Sequence, residues 1–192
     1  MKYIITSLII GISLLIATDL IIHKTDSTTV SIPVNEIDRI TFGIDSESNV
    51  NVALSSSGAT ATAISEGTYQ GDTHYAFKAI DGDEDVFWAS NWDMPAWLQV
   101  EFAQVYNIDS IGVWWGSHQH DFTISLSIDG DNWTLVENGT SNNSEGSSPV
   151  YELFPINSTD AKYVKIDITS TSAPSYHIFQ AIVNEIEAYC NQ

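Results

Sequence analysis

Phe122-Thr-Ile-Ser-Leu-Ser-Ile-Asp-Gly-Asp-Asn-Trp133 decides the fold. Phe122, Ile124, Leu126 and Ile128 alternate with Thr123, Ser125 and Ser127, the period-two pattern of a strand with one face inside and one in solvent. Asp129-Gly130 then signals a hairpin turn, because glycine takes positive φ without a Cβ clash. The pattern repeats on both sides. Leu98, Val100 and Phe102 alternate with Gln99 and Glu101; Ile111, Val113 and Trp115 share a face opposite Gly112 and Trp114. Val164, Ile166 and Ile168 oppose Tyr163, Lys165 and Asp167, and a last strand is predicted over 181–189. Beyond residue 49 no helical periodicity lasts more than a turn or two. Many short strands separated by turn residues predict an all-β chain, a sandwich or jelly roll. Residues 141–148 form a polar loop with nothing to bury.

Charge sharpens the picture. The 192 residues carry 6 Lys+Arg and 25 Asp+Glu, a net of −19, with 43% hydrophobic residues. That apolar share suits a folded domain rather than an acidic disordered tail. Residues 49–192 hold three basic residues (Lys78, Lys162, Lys165) against nineteen acidic ones, no arginine, and all six Trp. A nucleic-acid or anionic-phospholipid partner is excluded, since both need a basic footprint. Cys190 is alone, so neither an internal disulfide nor a cysteine-based zinc cluster is available.

The head is different. Lys2, an apolar run from Tyr3 to Ala17, and a small residue near its end make residues 1–22 a secretory signal peptide or an uncleaved anchor. Asp19 interrupts the run short of the roughly 20 apolar residues of a full span. Residues 23–48 read as a linker with a short strand, and 49–192 as one domain. The expected location is secreted or on the cell surface.

The module's motifs resemble the coagulation factor V/VIII type C (discoidin) family. Asn49-Val-Asn-Val-Ala-Leu54 opens like such a domain. Ala79-Ile-Asp-Gly-Asp83 with Phe87-Trp-Ala-Ser90 is similar to its A-x-D-G … x-W-x-S segment. Trp97-Leu-Gln-Val-Glu-Phe102, Ser127-Ile-Asp-Gly-Asp-Asn-Trp133, Ala161-Lys-Tyr-Val-Lys-Ile166 and Asn184-Glu-Ile-Glu-Ala-Tyr189 follow in the family's order. The resemblance implies a galactose-binding-like jelly-roll β-sandwich, closest in character to bacterial carbohydrate-binding modules of family 32. A brief likeness of residues 31–42 to exported proteins of Bacteroidetes-type bacteria implies a bacterial source.

The resemblance also implies a structural Ca²⁺, a hard cation taking six to eight oxygens. Asp81 and Glu185 would supply side-chain oxygens, Lys78, Asp83 and Asn184 backbone oxygens, and Ser90 its hydroxyl, carbonyl or both. The bland alternative is a plain Asp81-Gly82 turn beside a surface carboxylate.

A ligand surface follows from the chemistry of sugars, whose C–H faces stack on aromatics while polar groups bind hydroxyls. Loops carrying such residues place Trp92, His118 and Tyr176 first, then His120, His74, His177 and Asn91. Trp115 reads as core, Trp88, Trp97 and Trp133 as packing positions, and Trp114 as surface or cover. His118 and His120 are either a transition-metal pair or satisfied loop histidines. Relatives that bind lipid or grip sugars with arginine are poor guides to a module without arginine, and anionic glycans meet repulsion. The expected ligands are neutral, of galactose or N-acetylgalactosamine type. No Gly-x-Ser-x-Gly elbow, His-Glu-x-x-His or phosphate loop occurs, so catalysis is not expected. An adhesion module binding a protein partner remains the alternative.

Overall fold

The computed structural model describes residues 19–23, 28–33, 50–91, 94–143, 149–175 and 181–190. The chain divides into two compact units, residues 1–44 and 45–192. In the first, β1 (Asp19–His23) pairs antiparallel with β2 (Thr29–Pro33). The last four residues of the expected signal segment thus lie in β1, and residues 1–18 and 34–49 lie outside the described residues. Among the described residues no helix is long and apolar enough to cross a membrane.

The second unit is a β-sandwich, as the alternation requires. Its strands are β3 (Val50–Asn51), β4 (Thr60–Ala63), β5 (Gly67–Tyr69), β6 (Asp72–His74), β7 (Trp88–Ala89), β8 (Ala96–Trp115), β9 (His120–Ser127), β10 (Thr134–Thr140), β11 (Val150–Thr171) and β12 (Ile182–Cys190). The main sheet runs β10-β9-β11-β8-β12-β3, with β4 on β8 and β7 on β12, and every pairing is antiparallel.

Two strands serve both layers. β8 and β11 pair from Val150↔Trp115 to Ile168↔Ala96, with register breaks near their middles. One half of each joins β12 and β3; the other half joins β9, β10 and β4. Both ends of β8 and β11 therefore meet at one end of the sandwich, here the apex. Residues 103–108 and 157–161 turn over at the base. The sequence pattern suggests two strands at 98–102 and 111–115; the structure makes them one, because 106–108 keep pairing with 159–161.

Leu98, Val100, Ile111, Val113, Trp115, Ile124, Val164, Ile166 and Ile168 are buried between the layers, as the alternation predicts, and Ile186 of β12 joins them. β9 departs in two ways. Ser125 and Ser127 are buried although they belong to the polar row. Their cross-strand partners Lys165 and Tyr163 stand over that face, and Trp133 caps both, with Lys165 Nζ 4.7 Å from its ring centre. Ile128, expected inside, is 57% exposed because the strand stops at Ser127. There Gly130 N–H donates to Ser127 Oγ at 2.9 Å, and Asp131 and Asn132 N–H donate to Asp129 Oδ1 at 2.9 and 2.8 Å.

Leu98→Ala removes a fully buried side chain and is expected to cost about 2–5 kcal/mol, read by urea unfolding. Leu135→Ala, at an exposed position of β10, is expected to stay within about 0.5 kcal/mol of the parent. Equal losses for the two would contradict this placement of the core.

Candidate functional site

The segment leading to the last strand's partner loop is built from turns. A 3₁₀ turn, Ala76–Ala79, delivers the chain to Asp81, and Gly82 adopts φ +84°. Asp83 N–H donates to Asp81 Oδ1 and Asp85 N–H to Asp83 Oδ1, both at 3.0 Å, so each carboxylate stabilises its own turn. Two long-range hydrogen bonds fix this loop to β12. Gly82 N–H donates to Glu185 Oε1 at 3.1 Å, and Asn184 Nδ2 donates to the Glu84 carbonyl at 2.7 Å. Ser90 makes a third tie: Ala181 N–H donates to its Oγ at 3.0 Å, while Ser90 N–H donates to the Ala181 carbonyl at 2.9 Å.

Glu185 is the electrostatic anomaly. It is 2% exposed, and its Oε2 finds no hydrogen-bond partner among the described residues; the same holds for Asn184 Oδ1. Burial pushes its carboxyl up to about 8, the Gly82 N–H opposes this, and Asp81, Glu187 and Glu84 add repulsion. A buried carboxylate surrounded by like charge is unfavourable unless a cation or a proton compensates it. The residues present therefore fit a calcium ion. Glu185 and Asp81 carry carboxylate oxygens on the two segments that Gly82 and Asn184 join, with the carbonyls of Lys78, Asp83 and Asn184 in the same segments. Among the described residues no group of three or more His, Cys, Asp or Glu is arranged to hold a metal. The expected set has only two carboxylates, so its mark is an orphaned buried oxygen instead.

The structure sorts the expected ligand contacts by exposure. Asn91 is exposed, with its N–H donating to Ser65 Oγ at 3.1 Å. His74 is half-buried and stacks face to face on Phe87, centroids 4.2 Å apart and planes 7° apart. Burial, then Lys78, lowers its imidazole below the usual range, against smaller opposing effects of Asp72 and the Phe87 backbone. His118 and His120 are 3% and 0% exposed and present almost no surface to a ligand. His120 packs on Trp115, and its N–H donates to Ser141 Oγ at 2.8 Å. His118 holds φ +80° in a loop tied down by Gln119 N–H on Ser172 Oγ and Asn143 Nδ2 on the Gly116 carbonyl. Trp92, Tyr176 and His177 lie outside the described residues. Trp114 is half-buried against Tyr151, 5.0 Å between centroids.

A cleft of about 240 Å³ opens beside these loops, walled by Phe87, Pro149 and Ile182 with Asp85, Ser117 and Asn184 as its polar groups. Gly116 also lines it. A Cβ there would sit 2.2 Å from Ile182 Cγ2, so glycine is required by close packing. The sequence reading also missed Phe87 as the support of His74, and Ser141 and Asn143 as the braces of the 116–120 loop.

With this geometry in place, the F5/8 type C domain profile matches residues 60–181, more than half of the chain. The chain belongs to the F5/8 type C, or discoidin, family. Among solved structures it resembles CpGH89CBM32-5 from Clostridium perfringens in complex with GalNAc-β-1,3-galactose, at 21% identity and TM-score 0.61, covering 73% of this chain and 100% of that one. It also resembles chitosan-binding module 1 of a Paenibacillus sp. IK-5 chitosanase/glucanase, at 26% identity and TM-score 0.60 over 73% and 98% of the two chains. The family 32 module of C. perfringens NanJ in complex with galactose gives 25%, TM-score 0.57, and 73% and 99%. A curated relative, the polysaccharide lyase 8 family protein HylA of Enterococcus faecalis, is 29% identical over 91 residues. The match covers 46% of this chain but only 6% of that protein.

The sign of the Glu185 effect is testable. An unfolded chain releases this proton near 4.5, the folded one near 8, so between those values the native state holds more protons and stability falls as pH rises. In chelator, the melting temperature is expected to fall from about pH 5 to about pH 8, and Glu185→Gln is expected to flatten the fall. An unchanged slope in the variant would remove Glu185 as its cause.

Proposed function

We propose that the chain is an exported, non-catalytic carbohydrate-binding module for neutral glycans of galactose or N-acetylgalactosamine type, with a structural Ca²⁺. The observation that carries this reading is the F5/8 type C match over 60–181 together with likeness to carbohydrate-binding modules at up to 26% identity. Asn91 and His74 are the expected contacts among the described residues that keep exposed surface, and Trp92, Tyr176 and His177 complete the proposed set. The buried His118 and His120 shape the adjoining loop. Neutral ligands follow from a module with three lysines, nineteen acidic residues and no arginine, which repels uronates and sulfated sugars. Export rests on the apolar run after Lys2.

Asp81 and Glu185, with the carbonyls of Lys78, Asp83 and Asn184 and with Ser90, would hold the ion. Bound calcium supplies the positive charge that Glu185 lacks. The residues themselves do the positioning: Gly82 orients the Glu185 carboxylate, and Ser90 keeps β7 on the start of β12. No pair of groups in this arrangement is needed for bond cleavage, because recognition requires only a preset surface.

A glycan array probed with the full chain, with and without calcium, tests the reading. Binding to terminal galactose or N-acetylgalactosamine probes is expected, and binding to uronate-rich or sulfated probes is not. A module that bound no glycan in either condition would leave protein adhesion as the better account. Calcium at about a hundred times its dissociation constant adds about 2.7 kcal/mol to a native state that binds it, so the melting temperature should rise by several degrees. EDTA should reverse the rise and Asp81→Asn should weaken it. A melting temperature indifferent to EDTA would contradict the ion.

A further inference from the structure

A groove lies at the base of the sandwich, the end opposite the apex. It has a volume of about 510 Å³ and forms where the β9–β10 turn meets the folded-over middles of β8 and β11. We propose that this groove is a second saccharide site, taking one uncharged hexose ring independently of the apex.

The volume falls within the roughly 300–1,000 Å³ of small-molecule sites. Its polar walls are side-chain amides, carboxylates and hydroxyls, the groups that match the mixed donors and acceptors of ring hydroxyls. These groups are set in advance. Asn107 Nδ2 donates to Asp160 Oδ1 at 2.8 Å, and Asn132 Nδ2 donates to Asp129 Oδ2 at 2.8 Å. Backbone N–H groups of Asp131 and Asn132 hold the other Asp129 oxygen. A ligand therefore meets a lattice whose ordering cost is already met by the fold.

Ile128 supplies the apolar part. The strand pattern assigns it to the core, yet it is 57% exposed at the groove, beside the buried Leu126. One aliphatic side chain at the lip suits the C–H face of a single ring and is far too small to seat a helix or strand of a protein partner. Charge narrows the class further. The lining holds Asp129 and Asp160 and no Lys, Arg or His, so phosphates, sulfates and uronates are repelled.

NMR titration of the isotope-labelled full chain tests the proposal residue by residue, which separates base from apex. The probes are methyl galactoside, methyl mannoside, methyl glucoside and N-acetylgalactosamine, with galacturonate as the anionic control. At least one neutral sugar is expected to shift the side-chain amide signals of Asn107 and Asn132 saturably, and galacturonate is not. Asn107→Ala, a change at an exposed position, is expected to weaken that binding roughly tenfold with the melting temperature unchanged. Asp160→Asn serves as a second variant with the same expectation. Base signals that stay still with all four neutral sugars would overturn the proposal, as would shifts that both variants leave intact. Apex signals that move or fail to move leave this outcome unaffected.

Discussion

The pairing of β8 with β11 is the constraint on which the rest depends. Each strand is long enough to run down one layer, cross the base and return up the other, and they pair from Val150↔Trp115 to Ile168↔Ala96 with register shifts near the base. That single pairing places the 116–120 loop and the start of β11 at one end. It also brings Asn107 and Asp160 to the other. The buried faces then close because both halves of each strand keep their apolar rows inward, Leu98 with Val100 in one layer and Ile111 with Val113 in the other. Apex and base are products of one geometry.

Against that frame of apolar packing, Glu185 stands out as a charge that the protein alone does not balance. Its neighbours in space are acidic, and only one of its oxygens has a hydrogen bond among the described residues. In the loop from Asp81 to Asp85, one oxygen each of Asp81 and Asp83 accepts a backbone N–H of the loop itself. Lys78, the nearest basic residue in sequence, faces Asp72 instead, at 3.4 Å and partly exposed, where a pair contributes little. A divalent ion bound there, as proposed, would offset the imbalance.

Much of the sandwich was legible because a half-buried strand writes its two faces into alternate residues, as at Leu98–Phe102 and Val164–Ile168. The joins were harder. Residues 103–107 lack the inward row, so nothing local reveals that they continue a strand; Tyr106 and Asn107 pair with Ala161 and Asp160, more than fifty residues away in the chain. Ser125 and Ser127 look solvent-facing until Trp133 folds back over Lys165. His118 and His120 look like exposed loop residues, and only the tertiary bracing by Ser141, Asn143 and Ser172 explains their burial. The Asp81–Glu185 relation, spanning more than a hundred residues, was readable through family resemblance alone. The base groove was not readable at all, since it exists only when three separate segments meet.

The central proposal is that an ion held by Asp81 and Glu185 and a sugar at the apex share this discoidin-family sandwich. Diffraction from crystals grown with calcium and soaked in galactose, collected where calcium scatters anomalously, addresses it most directly. The expected result is an anomalous peak at about 2.3–2.6 Å from carboxylate oxygens of Asp81 and Glu185, with sugar density at the apex near Asn91. An apex without sugar and a Glu185 carboxylate with no ion beside it would contradict the account.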